Sequence, residues 1–272
     1  MSAANVRPED LRPVRRGRLY WALVDGWVLA KRNLVQIPRI PELLVFATIQ
    51  PVMFVLLFRY VFGGAIDVGG ESYVNYLMAG IFVQTVAFGA VATGIGLAED
   101  LKRGLVDRFR SLPMSRSAVL TGRTIADLVR NAFVVLVMLL VGLLVGFRPE
   151  AGLLGWAGAV GLLLLLSFSF SWIGATVALL LRSVEAVQSA GFIWLFPLTF
   201  ASSAFVQTDN MPGPLRAFAN NQPITLVVDT VRGLLLDQPL GPEGWQALAW
   251  CLGILLLFVP LSVSLYRRVA SS

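Results

Sequence analysis

EDLKRGLVDRFRSLPMSR, residues 99–116, is the stretch that decides how the rest of the chain is read. Eight of its eighteen positions are charged, in a 272-residue chain that is 57% hydrophobic and 14% charged. Long apolar runs flank it, at residues 73–98 and 126–147. Charge is costly in hydrocarbon and is confined to water or to protein contacts, so this island is expected outside a bilayer, between two membrane-crossing helices.

Working outward, a mean hydropathy of +0.75 leaves too little polar surface to cover a water-soluble globule of this size. Apolar runs near or above the roughly 20 residues that cross a bilayer as helix occur at residues 43–62, 73–98, 126–147, 153–181, 186–206 and 245–266. The expectation is an all-α integral membrane protein with six transmembrane helices. Of 22 Lys and Arg residues, 18 fall in the amino-terminal segment, the region from Lys102 to Arg130, Arg182 and the carboxyl-terminal Arg267 and Arg268. The positive-inside rule then places both termini and the 99–116 loop in the cytoplasm. The net charge of +6 is explained by topology and anionic lipid, with no nucleic-acid partner.

Residues 1–16 read as a mobile cytoplasmic tail. In 17–41, Leu19, Leu23, Trp27, Ala30 and Leu34 recur at helical spacing and predict an amphipathic helix lying on the membrane surface. The transmembrane domain occupies 42–272. Within the loop, Leu101, Leu105, Phe109 and Leu112 form an apolar stripe on a short helix that Pro113 ends, with Asp100, Arg103 and Arg108 among its charged rim. Two readings stay open from periodicity: insertion into a groove on a soluble partner, or a helix floating on the bilayer.

Several chemistries lack residues. There is no histidine, one cysteine (Cys251), and no phosphate-binding Gly-x-x-x-x-Gly-Lys-Ser/Thr motif around Lys31 or Lys102. An internal disulfide is excluded, no metal site is expected, and the usual intramembrane proton relay has little to run on. No catalytic residue and no bound cofactor are expected, and any work must be driven from another subunit. A membrane enzyme would need a clustered acid, base or ligand set, whereas a non-transporting scaffold is a live alternative.

Polar residues inside the runs are the site candidates. Gln84 and Thr85, beside Phe88, are the preferred lining of a substrate pathway, with Phe192, Trp194 and Phe200 as an aromatic wall. Ser167, Ser169 and Ser171 fit interhelical hydrogen bonds better than substrate contact. Arg123, Asp127 and Arg130, spaced four and three apart, predict an ion-pair ladder. Residues 207–244 hold two semi-apolar pieces too short to cross, which suits an outer-face hairpin dipping into the membrane.

Tyr60-Val61-Phe62-Gly63-Gly64, Gly80-Ile81-Phe82-Val83-Gln84-Thr85, Gly96-Leu97-Ala98-Glu99-Asp100 and Arg108 through Arg116, with Gly122 to Asp127 and Asn221-Gln222-Pro223-Ile224-Thr225, resemble the ABC-2 type permeases. The nearest subgroup is the daunorubicin-resistance DrrB-like membrane subunits. The resemblance implies a type V exporter-like half, in which two permease chains, here expected as a homodimer, join two copies of an ABC ATP-binding subunit that holds ATP and Mg. It implies that Asp100, Arg103, Leu105, Arg108, Phe109, Leu112 and Pro113 form the coupling helix. It further implies that Asn221, Gln222 and Pro223 turn an external re-entrant pair. A bacterial-type cell membrane and an amphipathic drug, antibiotic or lipid-like cargo follow from it, with a lipid-linked glycan or polymer as the alternative cargo.

Overall fold

The computed structural model describes residues 28, 30, 31, 41–63, 72–104 and 116–269. The tail, the surface helix apart from helical Val28, Ala30 and Lys31, and the loop residues Leu105, Arg108, Phe109, Leu112 and Pro113 lie outside the described residues. Regular structure among the described residues is helical. Helix α1 (Pro41–Leu57) runs on into a π turn (Phe58–Phe62), followed by α2 (Tyr73–Lys102), α3 (Arg116–Val145), α4 (Leu153–Leu181) and α5 (Val184–Phe200). A 3-10 turn (Thr208–Asn210) leads to α6 (Gly213–Asn221), α7 (Pro223–Leu235) and α8 (Glu243–Val269).

Four of these helices, α2, α3, α4 and α8, are long and apolar enough to cross a membrane. The α1 and α5 regions are apolar but shorter, giving Ala47–Phe62 and Val184–Phe200. Helix α3 begins at Arg116, ten residues before the apolar run that predicts it, because the charged turns of 116–125 continue the helix into the charged loop. Helix α5 stops at Phe200, so the end of the 186–206 run is not helical. Left-handed Gly146 (φ 105°) follows the end of α3, and Arg182 (φ 55°) makes the tight elbow into α5. Ser183 caps that next helix, its hydroxyl accepting from the Ala186 amide at 3.3 Å.

Helix α2 is the axis. It is buried over 22 of its 30 residues, as expected for a helix that is apolar all round. It packs on α3, α4, α5 and α7. The α2–α4 crossing depends on missing side chains: a Cβ on Gly174 would strike the Ala90 carbonyl, and one on Gly94 would lie 2.9 Å from the Gly174 oxygen. Such small-residue contacts let backbones approach where lipid gives no hydrophobic drive to associate. The α4 serines then staple three helices. Ser167 accepts from Asn131 of α3 at 2.7 Å, Ser169 donates to the Cys251 carbonyl of α8 at 3.1 Å, and Ser171 lies 3.2 Å from the Thr93 hydroxyl of α2. The outside of the bundle is apolar, with Leu144 and Leu154 at 87% and 88% exposure, a surface suited to hydrocarbon.

Beyond α5 the chain runs without helix through residues 201–206, yet Ser202, Ser203, Ala204 and Phe205 are buried. Backbone groups there need partners from elsewhere. Gln222 donates to the Leu198 and Ala201 carbonyls at 2.8 and 3.3 Å. The Tyr76 and Tyr73 hydroxyls donate to the Ser203 and Phe205 carbonyls at 2.8 and 3.2 Å. Arg232 joins the set: Nη2 donates to the Ser203 carbonyl at 2.8 Å, Nε reaches the Tyr76 carbonyl at 3.3 Å, and Nη1 pairs with Asp229 at 2.7 Å. Its guanidinium lies 3.6 Å from the Tyr76 ring centre, and the Ser203 hydroxyl donates to Asp229 at 2.6 Å.

Two stability series test this packing in detergent by thermal unfolding. Gly174→Val should cost about 3 kcal/mol, since overpacking against backbone has little room to relax, whereas Gly161→Ala, with open space around it, should change nothing. Arg232→Met should cost about 3–5 kcal/mol by leaving the Asp229 carboxylate without its counter-charge, against about 1 kcal/mol for Tyr76→Phe. Equal losses for Arg232→Met and Tyr76→Phe would show that Arg232 is not the organising group.

Candidate functional site

A cavity of about 230 Å³ opens between α1, α2, α3 and α5. Helix α2 supplies Gln84, Thr85 and Phe88, spaced so that they share a face toward α1 and α5. Helix α1 contributes Gln50 and Pro51, α3 contributes Arg130 and Asn131, and α5 contributes Gln188 and Phe192. The Phe88 and Phe192 rings meet at 5.7 Å with a 57° tilt and form an aromatic wall.

Two groups in this lining are unsatisfied. The Gln84 amide nitrogen and the Thr85 hydroxyl have no hydrogen-bond partner among the described residues, although the residues are only 4% and 9% exposed. A buried donor left without a partner costs about 1–3 kcal/mol. Neighbouring Asn131 is satisfied, donating to Ser167, so the vacancy is specific to the α2 pair.

The ladder expected from Arg123, Asp127 and Arg130 is formed and reaches further than its own helix. Arg130 Nη1 pairs with Asp127 Oδ1 at 2.9 Å, and Arg130 Nη2 donates to the Gly89 carbonyl at 3.4 Å. Asp127 Oδ2 lies 3.7 Å from Arg123 Nε, and Arg123 Nη1 pairs with Asp100 at 2.8 Å. These side chains lie across α2 where it has no Cβ: one added at Gly96 would collide with the Arg123 guanidinium, and one at Gly89 with the Asn131 amide. The ion pairs therefore run from the last turns of α2, beside the charged loop, to the lining of the cavity.

Of the sequence-predicted pathway residues, Gln84, Thr85, Phe88 and Phe192 come together in the cavity. Trp194 does not line it and packs on Phe170 at 5.5 Å. Phe200 belongs to an aromatic cluster further along α1, 4.3 Å from Phe196, 5.3 Å from Phe205 and 6.3 Å from Phe54. Asp100 sits in the ladder, and exposed Arg103 faces Glu99 at 3.5 Å. Asn221, Gln222 and Pro223 form the break between α6 and α7, where Gln222 caps α7 by accepting from the Ile224 amide at 3.0 Å. The roles of Gln50 and Asn131 escaped the sequence reading, although a polar residue in an apolar run was the available signal. Arg232 and Asp229 were also unassigned, and their i, i+3 spacing was the only hint.

Amide, hydroxyl and aromatic groups beside an arginine paired with Asp127 offer hydrogen-bond donors and acceptors next to an apolar face.

Residues 25–236 match the ABC-2 type transporter family. The chain is 34% identical, over 94% of its length and 89% of the relative's, to the daunorubicin resistance ABC transporter permease protein DrrB1 of Streptomyces coeruleorubidus. It is 27% identical to the probable doxorubicin resistance ABC transporter permease protein DrrC of Mycobacterium tuberculosis, over 83% of this chain and 82% of that one. A putative transport permease, ycf38 of Cyanophora paradoxa, is 27% identical over 79% of this chain and 75% of its own. With the match covering most of the chain and the apolar helices that a multi-pass permease requires, this protein belongs to the ABC-2 type transporter family.

Proposed function

We propose that the chain is the membrane half of an ATP-driven exporter for amphipathic drugs, antibiotics or lipid-like molecules. The observation that carries this reading is a cavity with two orphaned polar groups and an aromatic wall, in a chain similar along nearly its whole length to a drug-resistance permease. Six crossings, with α1 and α5 joining the four long helices, put both termini in the cytoplasm of a bacterial-type cell. Helices α6 and α7 then form a re-entrant pair at the outer face, turning at Asn221, Gln222 and Pro223.

In that orientation the cavity lies in the cytoplasmic half. Along α2 it takes residues from Gln84 toward Ile95, and along α1 those from Ala47 to Pro51. The Phe54, Phe58, Phe200 and Phe205 cluster occupies the opposite half, with Phe58 and Phe205 stacked at 4.6 Å. Cargo enters the cavity from the cytoplasmic side or the inner leaflet, and the aromatic cluster closes the way out.

The driving force comes from a separate ATP-binding subunit, two copies of which hold ATP and Mg and dock on the 99–116 loop of each permease in a homodimer. Asp100 and Arg123 pass movement of that loop to the cavity through Asp127 and Arg130. Switching between the two access states requires that cargo and nucleotide bind them unequally.

The test is doxorubicin efflux from a sensitive bacterial host expressing the permease with its ATP-binding subunit. Efflux above that of either subunit alone is expected, and its absence across a panel of amphipathic drugs would remove the drug-export reading. Leu105→Asp and Leu112→Asp should each abolish co-purification of the ATP-binding subunit while membrane insertion is kept; unchanged co-purification would refute docking on this loop. Gln84→Leu should cut efflux about tenfold while leaving thermal stability equal or slightly higher, because it deletes an unsatisfied buried amide. A parallel fall in stability and efflux would assign Gln84 to packing alone.

A further inference from the structure

Among the described residues, the charges around the cavity cancel. Arg130 is the only charged residue among the described ones in its lining. Its guanidinium is held by the Asp127 carboxylate at 2.9 Å and by the Gly89 carbonyl at 3.4 Å. Asp127 is shared with Arg123 at 3.7 Å, and Arg123 closes on Asp100 at 2.8 Å. Two acids and two arginines therefore sum to zero, each basic group facing a carboxylate. The Asp127 oxygen that faces Arg123 accepts no hydrogen bond, but Asp127 is not among the lining residues. Of the lining, the buried groups without a partner among the described residues are the uncharged Gln84 amide nitrogen and Thr85 hydroxyl, with the Gln50 and Gln188 amides also on the wall.

We propose that this cavity is a charge-neutral recognition site, which takes the uncharged hydrogen-bonding end of an aromatic amphiphile and excludes ionic headgroups. This deepens the export reading by naming what the site recognises. A formal charge entering the cavity would lose its water and find no free counter-charge among the described residues, because Asp127 already faces two arginines. A carbonyl, hydroxyl or amide would complete the bonds that Gln84 and Thr85 lack, while an attached ring packs on Phe88 and Phe192. Size agrees with partial occupancy. Pockets that engulf a drug-sized ligand measure roughly 300–1,000 Å³, and about 230 Å³ accepts one end of such a molecule. The remainder lies toward Gln50 and Phe192, which are exposed at the edge of the bundle. An amine elsewhere on the cargo is not read here. Asp127 acts as a positioning residue that keeps the Arg130 charge out of recognition.

The chain's single cysteine makes a direct test simple. Gln84→Cys is introduced beside Cys251→Ser, and the purified permease in lipid nanodiscs is treated with a neutral (methyl), a cationic (trimethylammonium-ethyl) or an anionic (sulfonatoethyl) methanethiosulfonate. Rates are normalised to those with a free small thiol. The neutral reagent should react at least tenfold faster than either charged one, and the two charged reagents within threefold of each other. Adding Asp127→Asn should favour the anionic reagent at least tenfold, and adding Arg130→Gln as well should return the ratio to within threefold. Failure of the neutral reagent to react, charged reagents reacting as fast as the neutral one, a preference above threefold between the charged pair with the ladder intact, or no shift toward the anion with Asp127→Asn would each overturn the inference. If Asp127→Asn does not fold, the ratio with the ladder intact decides alone. The efflux assay is independent: efflux through a charge-selective cavity would sink this inference and leave the exporter standing, and a neutral, reactive cavity without efflux would do the reverse.

Discussion

An apolar bundle offers a broken helix no water, so every backbone group released at a break must find a partner within the protein. The rest of this architecture is arranged around that constraint at residues 201–206. Helix α5 ends early, and the exposed carbonyls are met by Tyr73 and Tyr76 from the start of α2, Gln222 from the α6–α7 break, and Arg232 from α7. Arg232 alone touches Tyr76, Ser203 and Asp229. Lysine could not replace it, because one ammonium lacks the planar fork that reaches three groups at once. The break thus ties α2, α5 and α7 into one unit, which sets where α5 can present Phe192.

The other end of α2 is governed by closeness. Glycine at the α4 crossing brings backbones together, and glycine at positions 89 and 96 gives Asn131 and Arg123 a surface to lie on. Because α2 has no side chain there, α3 can drape its ladder across it and place Arg130 and Asn131 beside Gln84 and Thr85. The cavity follows from this packing: it is the space left where α1 and α5, both interrupted by proline, do not close against the α2–α3 pair.

Much of this was legible in the sequence for definite reasons. Apolar run length gave the helices, because the period and the absence of charge are local properties. The Arg123, Asp127 and Arg130 spacing gave the ladder, since neighbours at three and four positions share a helix face. Gln84 and Thr85 were visible as polar groups without an evident reason in an apolar run. What was hidden depends on tertiary contact. Nothing local shows that Asp100 reaches Arg123, or that an arginine in a segment read as an outer-face hairpin is buried against Tyr76. Trp194 and Phe200 were grouped with Phe192 by composition, yet α5 turns them toward Phe170 and Phe205.

The cluster of Phe54, Phe58, Phe200 and Phe205 is held by ring contacts, so a ring can rotate aside while the Phe205 carbonyl keeps its hydrogen bond from Tyr73. Each ring that moves aside loses dispersion contact and nothing else. On the proposed export route, a flat aromatic traveller would offer the same kind of face in exchange, so the stack would hand its contacts to the passenger ring by ring. A compact hydrated solute offers none and meets the full barrier. Selection at this point would operate on transit time and by shape, a criterion separate from the polarity that the cavity is proposed to read.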